Sequence, residues 1–109
     1  MKKIIVIGAG IAGMSAAYEL RSKLPKETEI TVFGDGSRFS FTPSNPWLAV
    51  GWREPEQITL EAGEHLEKKN IHFVPRPVSK ISPENNSVQS ENGDVHNYDY
   101  LLICTGPRL

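Results

Sequence analysis

Gly8, Gly10 and Gly13 fall at a G-x-G-x-x-G spacing, in Gly8-Ala9-Gly10-Ile11-Ala12-Gly13, directly behind the β-branched run Ile4-Ile5-Val6-Ile7. The chemistry that such a spacing serves is anion binding by backbone. A helix N-terminus presents N–H groups without intrahelical partners and carries a partial positive charge, which suits the pyrophosphate of a dinucleotide. In this reading Gly8 permits the tight turn, Gly10 lets the backbone approach the phosphate with no Cβ in the way, and Gly13 lets the helix pack close on the strand. Ala9 and Ala12 are the remaining binding positions of the turn. The spacing alone is a weak signal, and the competing reading is a glycine-rich turn that binds nothing. Its place after one strand, at the opening of a helix and ahead of a second strand favours the dinucleotide.

A second position bears on the same chemistry. In the usual fingerprint an acidic residue at the end of the second strand holds the ribose hydroxyls. Glu29-Ile30-Thr31-Val32-Phe33 reads as that strand, Gly34 stands where the acid is expected, and Asp35 follows one residue later. Asp35 is therefore assigned to the ribose, with the backbone and Ser37 as substitutes; a simple turn role for Asp35 is the alternative. Arg38 lies three residues beyond Asp35, so charge leaves a 2'-phosphate open.

Other reactive side chains carry less. Cys104 is the single cysteine and closes no internal disulfide; at the end of an apolar strand it reads as a small buried hydrophobe rather than a nucleophile. His65, His72 and His96 have no cysteine neighbours at metal-site spacing, so neither a metal nor chemistry is assigned to them.

The elements that position these residues follow from the apolar pattern. Ile4 to Ile7 is a short unbroken apolar run, the mark of a parallel strand covered on both faces. Met14 to Leu24 has helical composition, with Ala17, Leu20 and Leu24 at helical spacing, and Pro25 ends it. Glu29 to Phe33 completes a βαβ unit. The stretch 37–55, with Phe39, Phe41, Pro43, Pro46, Trp47 and Trp52, has no clear period and too much aromatic content for a disordered linker. Thr59 to Asn70 is expected as a short amphipathic helix, because Leu60, Gly63 and Leu66 recur every three residues among charged ones. Ile71 to Val74 reads as a third strand, Val78 to Ile81 and Ser87 to Gln89 as an antiparallel meander with a hairpin signal at Asn92-Gly93, and Tyr98 to Cys104 as a final strand.

Composition bounds the rest. The 109 residues are 39% apolar and 23% charged, with 12 Lys plus Arg against 13 Asp plus Glu, which excludes collagen-like and strongly disordered classes and leaves no electrostatic footprint for nucleic acid. No stretch is apolar for about 20 residues, as a membrane-spanning helix needs. Glu19, Arg21 and Lys23 follow the apolar N-terminus where a signal peptide would have its cleavage site, so a cytoplasmic location is expected.

The opening GAGIAGMSAAYEL, the meander and the closing YDYLLICTGPRL together resemble the N-terminal FAD segment of the two-dinucleotide-binding-domain flavoproteins. The loop FTPSNPWLAVGWR, Phe41 to Arg53, closely resembles that of sulfide:quinone oxidoreductases, membrane-associated flavoenzymes that pass two electrons from sulfide through FAD to quinone. The resemblance implies an α/β, Rossmann-like FAD/NAD(P)-binding fold with a mostly parallel sheet and a small antiparallel meander. It implies that Gly8, Gly10 and Gly13 receive the FAD pyrophosphate, that Asp35 lies near the ribose, that the Val78 backbone contacts adenine, and that Pro43, Ser44, Asn45, Thr105 and Gly106 lie towards the flavin. Trp47 to Trp52 would line a flavin or quinone approach or touch a partner domain, unless they pack on their own sheet. The family's redox cysteines fall later than the Thr105-Gly106 turn, where Cys104 replaces the usual alanine, so no catalytic residue is expected here. Residues 1–109 are expected to be the N-terminal part of an FAD-binding domain, an incomplete domain inactive alone, from a protein peripheral on the membrane. Type II NADH dehydrogenases and the flavoprotein of flavocytochrome c sulfide dehydrogenase are related alternatives, and a nucleotide-binding module without redox chemistry is an alternative of another class.

Overall fold

The computed structural model describes residues 2–35, 38–40 and 59–105. Its centre is the apolar run at the N-terminus: β1 (Lys3–Ile7) pairs in parallel with β2 (Glu29–Phe33) on one side and with β9 (Tyr100–Ile103) on the other. β5 (His72–Val74) adds in parallel to β2, giving the order β5-β2-β1-β9. The alternating side chains of β1 divide between two cores. Ile4 and Val6 join Ile30 and Val32 on the face covered by α1 (Ile11–Lys23) and α2 (Ala62–Lys68), which contribute Met14, Ala17 and Leu66. Ile5 and Ile7 join Phe33 and Val88 on the opposite face, under a three-stranded antiparallel sheet of β6 (Val78–Ser82), β7 (Ser87–Ser90) and β8 (Val95–Asn97). The expectation that β1 is covered on both faces is met. The arrangement is α/β and Rossmann-like, with helices, parallel sheet and meander in three layers.

α1 starts at Ile11, so part of the glycine turn is itself helical. It stops where expected: Leu24 is extended, at φ −106° and ψ 155°, as the residue before a proline should be. The Asn92-Gly93 signal is answered by the β7–β8 hairpin, with Gly93 at φ 95° and its N–H donating to the Ser90 carbonyl at 2.9 Å.

Three expectations are corrected. The helix expected from Thr59 begins only at Ala62. Thr59–Glu61 is β4, paired antiparallel with β3 (Arg38–Ser40), because backbone pairing with a distant segment wins over a weak local helical preference. The final strand starts at Tyr100 and not at Tyr98. Asp99 turns the chain there, its N–H donating to the Lys3 carbonyl at 2.8 Å and its carboxylate accepting the Lys3 N–H at 2.7 Å. Cys104, expected buried, is half-buried, with its side chain against the helix-face core.

Candidate functional site

The strand order reverses direction at β1: the chain moves outward from β1 to β2 and β5, then returns to β9 on the other side. In open α/β sheets the crevice at the carboxyl ends of the strands flanking such a point is where ligands bind. The glycine turn occupies that place.

Gly8 leaves β1 at φ +110°, in the left-handed region, and its N–H donates to the Phe33 carbonyl at 2.8 Å. A Cβ there would stand 2.5 Å from the Cys104 carbonyl oxygen and 3.1 Å from the Thr105 nitrogen. Gly13 is buried, and a Cβ on it would overlap the Gly8 carbonyl oxygen. These two glycines let β1, α1 and the exit of β9 meet at backbone distance, and the Cys104 N–H extends the ladder to the Ile7 carbonyl at 2.8 Å. Their reasons are therefore internal to the fold.

Gly10 differs. It is exposed, it is the N-cap of α1 with no side-chain cap, and a Cβ on it would meet nothing within 4 Å. Met14 is the first residue of the helix whose N–H reaches back, to the Gly10 carbonyl at 2.9 Å, so those of Ile11, Ala12 and Gly13 have no intrahelical acceptor. The first turn holds no acidic side chain, while Arg21 and Lys23 sit in the last. Backbone donors, a positive dipole end and open approach at Gly10 form a cradle that fits a pyrophosphate. Ala12 is exposed on the first turn, and Ala9 is half-buried beside Gly34.

Gly34 explains the missing acid at the end of β2. A Cβ there would lie 2.7 Å from the Ala9 Cβ and 3.1 and 3.2 Å from two ring carbons of Phe73 on β5. The position has no room for a carboxylate, and the exposed Asp35 comes next. The sequence shows the departure but neither its cause nor Phe73, which are signalled by no more than a glycine where an acid is expected and an aromatic residue in the third strand.

The structure thus brings Gly8, Ala9, Gly10, Ala12, Gly13 and Thr105 to the carboxyl ends of β1 and β9, and Asp35 to that of β2. Val78 opens β6 in the meander layer and packs with Val74 on the core that contains Phe33. Ser37, Pro43, Ser44, Asn45, Gly106 and the Trp47 to Trp52 segment lie outside the described residues. The histidines are elsewhere. His65 is exposed, the exposed His72 lies 4.0 Å from Glu29, and His96 meets the Phe33 ring edge-on at 4.9 Å between centroids. No helix among the described residues is long and apolar enough to cross a membrane.

Comparison with known proteins gives a consistent picture. Residues 2–109 match the family described as Pyridine nucleotide-disulphide oxidoreductase. The chain is 42% identical to a sulfide-quinone reductase of Aquifex aeolicus over 99% of its own length and 25% of that protein's. The crystal structure of the sulfide:quinone oxidoreductase from the same organism superposes with a TM-score of 0.95 at 41% identity, covering 100% of this chain and 25% of that one. A type II NADH:quinone oxidoreductase of Staphylococcus aureus is 27% identical over 96% of the chain and 26% of its own length. The chain spans about a quarter of the length of these relatives.

Proposed function

The chain belongs to the pyridine nucleotide-disulphide oxidoreductase family, and on that premise we propose that residues 1–109 form the N-terminal part of the FAD-binding domain of a sulfide:quinone oxidoreductase. The observation that carries the reading is the 42% identity to the Aquifex aeolicus sulfide-quinone reductase across 99% of the chain, against 27% for the NADH-linked relative. The family and its sulfide:quinone oxidoreductase members bind FAD.

The residues of this chain bind and orient. The backbone N–H groups of Ile11, Ala12 and Gly13 hold the pyrophosphate, and Gly10 leaves the approach to them open. Asp35 accepts hydrogen bonds from the ribose hydroxyls, and the Val78 backbone faces adenine. Thr105, at the exit of β9, lies towards the flavin end of the crevice. FAD supplies the two-electron redox chemistry when bound. Sulfide, quinone and attachment to the membrane surface belong in this reading to the whole protein, with the present chain on the cytoplasmic side.

The test is quinone reduction by the longer polypeptide that contains this chain, with sulfide and with NADH as donors, beside the 109-residue chain alone. Sulfide-dependent quinone reduction by the longer polypeptide, with no turnover by the chain alone, is expected. Reduction driven by NADH and not by sulfide would favour the type II NADH dehydrogenase reading. Activity with neither donor would favour a nucleotide-binding module without redox chemistry.

A further inference from the structure

We propose that Phe73 is the positioning residue of the ribose-binding end of the site: with Ala9 it closes the space at residue 34, so that the carboxylate meeting the ribose diol is carried by Asp35. The proposal rests on the dinucleotide reading above and adds a residue to which that reading gives no role.

Along β2, Ile30 and Val32 face the helix layer and Phe33 faces the meander. By strand alternation a side chain at residue 34 would again face the helices. The neighbours it would meet there are the Ala9 Cβ, at 2.7 Å, and the Phe73 ring, at 3.1 and 3.2 Å. Ala9 is held by the glycine turn around it, so it does not yield. Phe73 is half-buried and packs on the core built from Ile30, Val32, Leu66 and Ile71. The peptide that joins Phe33 to Gly34 is held by the main chain. The Gly34 N–H donates to the Val74 carbonyl at 3.0 Å, and the Phe33 carbonyl accepts the Gly8 N–H at 2.8 Å.

Two consequences follow for the exposed Asp35. Its place is one residue further along the chain, about 3.3 Å, than that of an acid at the strand end. Its starting point is also set by a glycine that has no side chain of its own to anchor it, so the walls that a Cβ there would meet, the Phe73 ring and the Ala9 methyl, limit where its backbone can move. With the ring removed, the peptide that joins Gly34 to Asp35, one step beyond those two bonds, gains freedom on the side facing the helices, and Asp35 loses its fixed aim at the ribose.

The experiment is calorimetric titration of the 109-residue chain with ADP and 2'-deoxy-ADP, with a thermal melt of every variant without nucleotide. The parent chain is expected to bind ADP about tenfold more tightly than 2'-deoxy-ADP, the effect of one charge-assisted hydrogen bond to the 2'-hydroxyl. Asp35→Asn should abolish that preference. Phe73→Ala and Phe73→Val should reduce it to below about twofold while ADP itself still binds, and Phe73→Leu, which keeps most of the bulk, should retain it. A merely structural role would lower melting temperature and both affinities together without changing their ratio. A folded Phe73→Ala or Phe73→Val chain that keeps the tenfold preference overturns the proposal, as does a parent chain that binds ADP without ribose discrimination. A parent chain that binds neither nucleotide also overturns this proposal, whereas the dinucleotide reading is tested apart from it, by whether the longer polypeptide that contains this chain carries FAD.

Discussion

Gly10 and Gly13 stand three positions apart and answer to different demands. Gly13 is filled from one side by the Gly8 carbonyl, which is backbone and cannot move aside, so Gly13→Ala is expected to destabilise the chain by at least about 3 kcal/mol, measured by urea unfolding. Gly10 faces open space at φ −81°, a conformation that alanine adopts freely. Gly10→Ala should therefore change stability by less than about 1 kcal/mol. In the proposed site the same substitution would place a methyl group in the path of the phosphates, and it should weaken ADP binding about tenfold or more. Fold and ligand are thus separable within one motif. The sequence motif names all three glycines, and the pattern of reasons within it could be anticipated from the helix-start chemistry. The reason for Gly34 could not. It depends on Ala9 of the glycine turn and on Phe73, a residue far away along the chain that only the β2–β5 pairing brings alongside.

Among the elements, α2 shows where local pattern misleads and where it holds. The three-residue recurrence of Leu60, Gly63 and Leu66 suggested one helix, but Thr59–Glu61 pairs with Arg38–Ser40 across a long connection, a contact no local window contains. Leu66, by contrast, keeps the role that its spacing gave it. It is fully buried against Ile30, Val32 and Ile71, and it is the described side chain through which α2 enters the core. Leu66→Ala should cost about 3 kcal/mol of unfolding free energy in urea denaturation, the ordinary cost of a large-to-small change at a packed site. β8 was also unmarked, since Val95-His96-Asn97 is too short and too polar to signal a strand without its partner β7. The long apolar runs of β1 and β2 were readable because burial on both faces leaves an unbroken apolar stretch that little else produces.

For the molecule as a whole, the two cores on either face of one parallel sheet place the glycine turn, the end of β2 and the exit of β9 along a single edge. That edge is where the candidate binding residues described above converge, and clefts lie at the opposite end. One of about 320 Å³ is bordered by Arg21, whose guanidinium is engaged with the Thr28 carbonyl at 2.8 Å and the Asn70 carbonyl at 3.3 Å. In the proposed function this edge takes a flavin dinucleotide through its adenosine diphosphate half. Titrating the 109-residue chain with FAD, ADP and NAD, followed by calorimetry, tests it most directly. FAD and ADP are expected to bind at the same site and to compete with one another; binding of NAD with no binding of FAD would contradict the flavin assignment.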